Sequence, residues 1–295
     1  MRRGFLSLIA IVISLLIFTI LFIVVFNRLK IAQVPTSQSG KDPRVETQET
    51  IDKVIEQQNQ EKIEFEKDQE SDQKLLGVQT GKNYTALVYD LGSSTVVTDT
   101  AGDSDCANDC FTKPLASYVK EQGGKGGMNG TYFCPPDYGW CAGKKNSFDF
   151  PVWNNRQKKW IQAEKLFWNG RGMMVFRPGS AQFFANSAAV GAPSDITGGI
   201  VNYPSLLSGG NLLVNDGNLA ANLKTKGTRS GIGFGKGKLF LVVARRSSVI
   251  DLAGIFISLG ATDALNLDGG GSAALYEGRY KAGPGRSLPN AIIVK

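Results

Sequence analysis

Residues 261–276 read ATDALNLDGGGSAALY, and this stretch governs how the rest of the chain is interpreted. Apolar and polar side chains alternate before the glycines, which is the period of a half-buried β-strand. Such a strand places Leu265 and Leu267 on one face and Asn266 and Asp268 on the other. A carboxylate therefore ends the strand, directly before three glycines.

The glycine run is the second feature of this stretch. Gly269, Gly270 and Gly271 leave the backbone without side chains, and Ser272 then begins what reads as a second strand. Bare backbone lets a ligand approach closely, and its N–H groups can bind an anion. An ordinary glycine-rich hairpin with an acidic turn residue is the alternative.

The distribution of glycine predicts the fold class. Of the 35 glycines in 295 residues, only Gly4 and Gly40 precede Gly77. Glycine enrichment after that point favours tight turns between short strands over a helical bundle. We therefore predict an α+β domain at residues 77–295, β-rich with mixed sheets and a few packed helices.

The chain contains no histidine. This excludes Ser-His-Asp and Cys-His catalysis and histidine-ligated zinc. An acid or base must then be a carboxylate, a lysine, a tyrosine or a thiol. We expect no cofactor and no metal, and a divalent cation on the oxygens of Asp268, Asp216 and Asn266 is the alternative.

The N-terminal region has the composition of a membrane anchor. Residues 5–26 are uncharged and apolar, which is long enough to span a bilayer as an uncleaved signal anchor. Arg2 and Arg3 favour a cytoplasmic tip at residues 1–4, although basic residues also follow the apolar run. We predict a single-pass membrane protein with its domain outside the cytoplasm. A signal peptide cleaved near Ala32 is the alternative.

Residues 27–76 form the predicted stalk between anchor and domain. Residues 41–74 carry six basic and eleven acidic groups, while the whole chain has a net charge of +7. The domain is therefore strongly basic, which suits a phosphate-bearing or otherwise anionic partner. We expect no nucleic-acid partner, since the net charge is the only feature that favours one.

Four cysteines predict two disulfides. Cys106, Cys110, Cys134 and Cys141 lack the spacing of a zinc ribbon, and the anchor places them outside the cytoplasm. Of the three possible connectivities, the local one is the first choice, with Cys106 joined to Cys110 and Cys134 to Cys141. One bridge would then brace the loop beside Asn129. Reactive thiols are the alternative.

Residues 228–245 give the clearest β-hairpin pattern. Arg229 shares its strand face with Gly231, Gly233 and Gly235, so one guanidinium stands on a face otherwise reduced to backbone. Arginine is suited to bidentate capture of a phosphate or carboxylate. The alternative is that the glycines let another strand or helix pack closely.

Two further patterns have mainly structural interpretations. Residues 248–251, SVID, form a capping box that predicts a helix up to Gly260, with Asp251 acting first as a cap. The aromatic residues within 150–186 are predicted to fill the core of hairpins, and an aromatic wall that stacks on sugars is the alternative.

Several motifs, in this order along the chain, resemble one known family. They are NGTYF at 129–133, PSLL at 204–207, NDG at 215–217, RSGIG at 229–233, NLDGGGS at 266–272 and RSLPNA at 286–291. The set resembles the phosphodiester glycosidase domain family over roughly residues 82–295. The four-cysteine segment around Asn129 departs from the family pattern.

The resemblance implies an α+β fold and hydrolysis of a sugar joined through its anomeric carbon to a phosphodiester. Asp268 would act as base, nucleophile or stabiliser of an oxocarbenium ion, with Asp216 as the candidate second carboxylate. Arg229 and the amides of Gly269–Gly271 would hold the phosphate. Asn129 would fix the sugar or the attacking water.

Three other residues, Ser230, Ser272 and Asn266, complete the predicted substrate-binding set. Asn129 also fits an N-glycosylation acceptor or a type I′ turn. The expected substrate is a sugar-1-phosphodiester of a cell-envelope glycan or glycolipid. The alternative function is a non-catalytic envelope module that binds anionic glycan without turnover.

Overall fold

The computed structural model describes residues 74–295 and, ahead of them, the isolated helical residues Lys53, Glu56, Gln57 and Gln60. The elements below all lie within the unit Asp68–Lys295. The predicted anchor at 5–26 and most of the predicted stalk fall outside the described residues. In the ranges that are described, no helix is long and apolar enough to cross a membrane.

Short strands make up most of the described chain. They are β1 Gly77–Thr80, β2 Tyr84–Asp90, β3 Val96–Thr100, β4 Gly126–Asn129, β5 Val152–Asn154, β6 Lys159–Ile161, β7 Gly172–Arg177, β8 Ser180–Phe184, β9 Gly198–Asn202, β10 Ser205–Ser208, β11 Asn211–Leu212, β12 Gly227–Gly235, β13 Lys238–Ser247, β14 Asp263–Leu267, β15 Leu275–Glu277, β16 Arg279–Ala282 and β17 Asn290–Val294.

These strands form three sheets. The seven-stranded sheet has the order β1-β2-β13-β12-β14-β10-β11. One five-stranded sheet has the order β16-β15-β4-β17-β3, and the other has the order β6-β5-β9-β7-β8. The strand pairs with a defined register are antiparallel.

Helices are few, which confirms the predicted β-rich α+β class. They are α1 Leu115–Glu121, α2 Ala221–Lys224 and α3 Val249–Ser258, with single 3-10 turns at Gly139–Cys141, Ala163–Phe167, Ser187–Ala189 and Gly270–Ser272. Pro114 precedes α1, as expected for a helix start that needs no N–H donor there.

The central core lies between the sheets. Its buried side chains come from all three of them, for example Leu87 and Ile232 from the first, Met128 from the second and Ile200 from the third. A separate apolar cluster joins the outer face of the seven-stranded sheet to α3, and another joins α1 to its five-stranded sheet. The ends of strands from different sheets are thereby held close together.

The glycine face of β12 packs against α3, so the expectation of a ligand-facing surface there is wrong. A Cβ atom at Gly231 or Gly233 would lie 2.9 Å or 2.8 Å from the ring of Phe256. A Cβ atom at Gly235 would lie 2.5 Å from the carbonyl oxygen of Gly260. The glycines therefore admit a helix against the sheet, as the alternative interpretation held.

The helix itself begins as predicted. The Ser248 hydroxyl accepts from the backbone N–H of Asp251 at 3.1 Å, and the Asp251 carboxylate accepts from the N–H of Ser248 at 2.7 Å. This capping box fixes the start of α3 and leaves Asp251 as a cap.

The glycine run after Asp268 is not a hairpin turn. β14 belongs to the seven-stranded sheet and β15 to a five-stranded sheet, so residues 268–274 cross from one sheet to the other. A Cβ atom at Gly269 would lie 2.5 Å from the carbonyl oxygen of Thr228, and Gly270 has a φ of +56°. The crossing needs glycine because β12 passes directly beside it.

The local disulfide pairing is confirmed. Cys106 is bonded to Cys110, and Cys134 is bonded to Cys141. Most of the aromatic residues within 150–186 are core, as predicted, and Trp153 and Phe176 are 2% and 0% exposed. Phe167 and Trp168 are exceptions, since they are exposed at the surface.

Paired glycine substitutions test the packing of α3 on β12. Gly233→Ala should lower the free energy of unfolding by roughly 1–3 kcal/mol, because its methyl group would overlap Phe256 and the carbonyl of Asp263. Gly254→Ala is the matched control, since Gly254 is exposed in α3 with no atom near its Cβ position. It should raise that free energy by roughly 0.5–1 kcal/mol. Chemical denaturation measures both, and equal effects would contradict this packing.

Candidate functional site

Asn129 joins the two sheets at the candidate site. Its side-chain Nδ2 donates to the backbone carbonyl of Asp268 at 2.7 Å and to the hydroxyl of Ser230 at 3.0 Å. Its Oδ1 accepts from the N–H of Ala274 at 3.1 Å. One buried amide thus binds both ends of the glycine crossing. Asn129 is fully buried. Its side chain is therefore not placed to make the expected contact with substrate, and it is not accessible for glycosylation in the folded chain.

The Asp268 backbone is fixed by its neighbours. Its N–H donates to the carbonyl of Gly130 at 3.1 Å, and its carbonyl also accepts from the Ser230 hydroxyl. Gly130 is required here because a Cβ atom would overlap the side-chain oxygen of Asn290. The carboxyl group is therefore presented from a rigid strand end.

The Asp268 carboxyl is strongly desolvated. Burial raises the pKa of Asp268 to about 7, even though the Ser272 hydroxyl, the Arg286 guanidinium and the N–H of Gly269 favour the ionised form. Its Oδ2 atom is buried and has no hydrogen-bond partner in the protein. Buried polar atoms normally have a partner, so such an atom is suited to bind water or a ligand.

Tyr132 and Asn266 form the wall next to Asp268. The Asn266 Nδ2 donates to the Tyr132 hydroxyl at 2.6 Å and to the Tyr203 carbonyl at 3.1 Å. Burial raises the pKa of Tyr132, and the nearby Asp268 charge raises it further. The Asn266 Oδ1 atom is buried without a partner, like the Asp268 Oδ2 atom two residues on. Asn266 and Asp268 thus each carry one buried acceptor oxygen without a protein partner, near the end of β14 and directly after it.

Arg171 continues this wall. Its guanidinium carbon lies 5.4 Å from the ring centroids of both Phe150 and Tyr203, and the Phe150 ring is 5.9 Å from that of Tyr132. The Arg171 Nε atom is buried and has no hydrogen-bond partner in the protein. A cation held between aromatic rings with an unused donor is suited to an anionic ligand.

Arg286 covers the other side of the glycine crossing. A Cβ atom at Gly271 would lie 2.6 Å from its Nη2 atom, so Gly271 gives the guanidinium room to lie against the backbone. Its Nη2 donates to the Asp137 carboxylate at 2.8 Å. Among the groups that lower the pKa of Asp268, Arg286 is the cationic one.

Arg229 lies next to this site but is differently engaged. β12 pairs with β14 so that Ser230 is opposite Leu267, which brings Arg229 beside Asp268 at the end of the ladder. Its guanidinium donates to the backbone carbonyls of Asn222 and Thr225, both at 2.7 Å, and of Ser247 at 3.3 Å. These contacts tie the end of α2 to the hairpin, so Arg229 has a structural task that the sequence analysis did not predict.

The predicted second carboxylate lies in an exposed turn. Asp216 belongs to a turn in which the Asn215 side chain accepts from the N–H groups of Gly217 and Asn218. Within the described part of the chain, the groups that shift the pKa of Asp268 are Ser272, Arg286 and Gly269, and none of them is a carboxyl group. The contacts described above connect Asn129, Ser230, Asn266, Asp268 and Ser272, and Asp216 takes part in none of them.

Two surface depressions lie near these elements. One of about 230 Å³ adjoins the wall and is lined by Gly170, Tyr203 and Ser205 among others. A larger one of about 410 Å³ is lined by Asp105, Lys144 and Glu164 among others and contains none of the residues predicted for catalysis or substrate binding. In the part of the chain that the structure describes, no group of three or more Asp, Glu, Cys or His residues could hold a metal ion.

Four residues of the site were missed or given no role in the sequence analysis. Tyr132 and Arg286 lie inside the quoted motifs at 129–133 and 286–291, so a signal for them was present. Arg171 and Tyr203 lie in no chemical pattern. Arg171 directly precedes β7 and Tyr203 directly follows β9, so the pairing of these two strands places the residues next to each other.

The fold and site define a β-rich α+β domain with one desolvated carboxyl group and several arginines where strands of different sheets end. Residues 153–295 match the family model described as phosphodiester glycosidase, which confirms the family resemblance. This segment contains the Arg229, Asp268 and Arg286 motifs, whereas the Asn129 motif precedes it.

One solved structure shares the fold of this domain. The catalytic domain of zebrafish N-acetylglucosamine-1-phosphodiester alpha-N-acetylglucosaminidase, auto-inhibited by its pro-peptide, matches with a TM-score of 0.54 and 17% identity. That match covers 72% of this chain and 75% of the zebrafish chain.

Two bacterial structures are more distant. A hypothetical protein from Synechocystis matches with a TM-score of 0.45 and 14% identity, over 74% of this chain and 60% of that one. A putative exported protein from Burkholderia pseudomallei matches with a TM-score of 0.43 and 12% identity, over 72% and 73% of the two chains. No curated protein matches this sequence.

The burial of Asp268 predicts a pH-dependent gain in stability on its removal. Its folded pKa of about 7 lies above the value of about 3.9 for an unfolded aspartate, so the contribution of Asp268 to stability is fully present below pH ~4 and is lost as the pH rises through 7. Asp268→Asn removes this cost. The free energy of unfolding should rise by roughly 2–4 kcal/mol at pH 8 and change little at pH 4.

Chemical denaturation at pH 4, 6 and 8 measures this difference. Asp216→Asn is the control, because the exposed Asp216 should give no pH-dependent change. A variant at Asp268 that is no more stable than the parent at pH 8 would show that the carboxyl is not held in a desolvated environment.

Proposed function

We propose that this domain hydrolyses a sugar-1-phosphodiester at the bond between the anomeric carbon and the phosphate oxygen. The observation that carries the proposal is the Asp268 carboxyl, whose Oδ2 atom is buried without a hydrogen-bond partner in the protein and whose pKa is lowered by the charge of the Arg286 guanidinium. The match of residues 153–295 to the phosphodiester glycosidase family supports the same reaction.

Asp268 would act in its ionised form. Its carboxylate accepts a proton from water while that water attacks the anomeric carbon, and the C1–O bond breaks towards the phosphate. The products are the free sugar and a phosphomonoester. A group with a pKa near the working pH is effective in this role, and a phosphate leaving group needs little help from a general acid.

The phosphate would lie against arginine. Arg286 is next to the Asp268 carboxyl, and Arg171 offers a buried Nε donor without a protein partner. Their charges stabilise the negative charge that accumulates on the leaving phosphate. This assigns the phosphate to Arg286 and Arg171, because the Arg229 guanidinium already donates to three carbonyls. Asn129 acts as a positioning residue.

A non-catalytic glycan-binding module is the second candidate. Glycoside hydrolysis ordinarily uses two carboxyl groups, whereas the described site holds Asp268 and leaves Asp216 in an exposed turn. Such a module would bind sugar phosphodiesters through the same arginines without releasing sugar. Turnover therefore separates the two functions.

The full chain would carry this domain outside the cytoplasm on its N-terminal anchor. The apolar run at 5–26 and the two disulfides support this placement. After expression, the full chain should stay in the membrane pellet through an alkaline carbonate wash. Its release into the wash would contradict an uncleaved anchor.

Hydrolysis of N-acetylglucosamine-1-phosphodiester is the first reaction to test, since the name of the zebrafish enzyme carries that substrate. Asp268→Asn should lower kcat at least ~100-fold, because the proton acceptor is lost. In the parent protein, kcat should rise with pH through about 7 as Asp268 ionises. A rate that falls over this range would assign Asp268 the role of acid instead.

Two further variants complete the same experiment. Arg286→Gln should move the rising limb to higher pH, because the cation that favours ionised Asp268 is removed. Asp216→Asn should leave kcat within about twofold of the parent, as expected for an exposed turn residue. A loss of activity in Asp216→Asn would restore it as the second carboxylate and contradict a site with one carboxyl group.

A further inference from the structure

The loop closed by the Cys134–Cys141 disulfide contacts a residue of the candidate site. It reads CPPDYGWC and lies directly after the strand that ends in Asn129. Its Asp137 carboxylate binds the Arg286 guanidinium at 2.8 Å, and Arg286 in turn lies against Gly271. The loop is therefore connected to the candidate site through one side chain.

This loop is stiff. The disulfide joins two cysteines seven positions apart, and Pro135 and Pro136 restrict the backbone between them. The N–H of Tyr138 donates to the Pro135 carbonyl at 3.2 Å, and the N–H of Cys141 donates to the Tyr138 carbonyl at 2.8 Å. The side chains at its tip are thus held in place relative to the site.

Two aromatic rings stand at that tip. Tyr138 and Trp140 are stacked, with ring centroids 4.8 Å apart and an angle of 27° between their planes. The Arg286 guanidinium carbon lies 5.4 Å from the Tyr138 ring centroid. Trp140 is 80% exposed, so nearly all of its indole faces solvent. A guanidinium, a phenol and an indole therefore follow one another outward from the candidate site.

We propose that the Tyr138–Trp140 pair binds a sugar ring in the group that the phosphodiester carries beyond the phosphate. The inference rests on the proposed function. A phosphate held by Arg286 would direct its second ester group toward Tyr138. The Tyr138 ring contacts the guanidinium, and the Trp140 indole stacks on the Tyr138 ring. The substrate would then be a glycan-linked sugar-1-phosphodiester, with the loop selecting the leaving group.

The chemistry of the pair fits carbohydrate. A sugar ring has an apolar face of C–H groups and a rim of hydroxyls, and a flat aromatic ring beside polar groups matches both. The aromatic pair is bordered by the Asp137 carboxylate, the Arg286 guanidinium and exposed backbone rather than by an apolar groove. A lipid chain would leave those polar groups desolvated and unpaired, which is unfavourable.

Two substrates that differ only in the leaving group test the proposal. They are the methyl ester and the chitobiosyl ester of N-acetylglucosamine 1-phosphate. Trp140→Ala should raise KM about tenfold for the chitobiosyl ester, with kcat little changed, and should leave both constants for the methyl ester within about twofold. A variant that treats the two esters alike would overturn the proposal.

Trp168→Ala is the matched control. Trp168 is also exposed, but its ring contacts Lys165 rather than Arg286, so neither ester should be affected. The double change Cys134→Ser and Cys141→Ser should reproduce the selective rise in KM by loosening the loop. Cys106→Ser with Cys110→Ser is its counterpart and should not.

Failure of the proposed function is distinguishable from failure of this inference. If the parent protein hydrolyses neither ester, the reaction is wrong, and binding of the chitobiosyl ester is then followed by tryptophan fluorescence. Weaker binding by Trp140→Ala would still support the aromatic pair as a sugar-binding surface. Equal binding by parent and variant would overturn it.

Discussion

The backbone carbonyl of Asp268 accepts hydrogen bonds from both Asn129 and Ser230, and the arrangement of the site depends on this junction. Asn129 ends a strand of a five-stranded sheet, while Ser230 belongs to the seven-stranded sheet. The same amide also binds the N–H of Ala274, beyond the glycines. A single buried side chain therefore sets both the separation of the sheets and the position of the acid.

The junction also explains why the Asp268 carboxyl is so strongly affected by its surroundings. The backbone of this strand end is fixed, and burial of the carboxyl outweighs the hydroxyl, amide and guanidinium that favour its charge. The unpartnered Oδ1 atom of Asn266, two residues before Asp268, is a second buried polar atom without a protein partner. An ionised carboxylate in these surroundings lowers stability at neutral pH, and carboxyl groups with strongly raised pKa values are common at functional sites.

The sequence predicted features that depend on local patterns. The β12–β13 hairpin, the capping box of α3, the disulfide pairing and the family resemblance all have signals within a few residues. Contacts between segments that are distant in the chain were harder to predict. The glycines of β12 and those of residues 269–271 look alike in sequence. In the structure, the β12 glycines make room for Phe256, whereas Gly271 makes room for Arg286. The hydrogen bonds from Arg229 to α2 and the position of Arg171 beside the rings of Phe150 and Tyr203 likewise depend on tertiary packing.

The Cys134–Cys141 loop has a consequence for how such a domain can diversify. Its ends are joined covalently, its tip meets the remainder of the domain through the Asp137–Arg286 pair, and it begins after the Asn129 junction rather than within it. A descendant could exchange the whole segment, altering its length or its rings, while the acid and its scaffold stayed intact. Under the proposed function, the preference for a leaving group and the chemistry of the reaction would then evolve independently of each other.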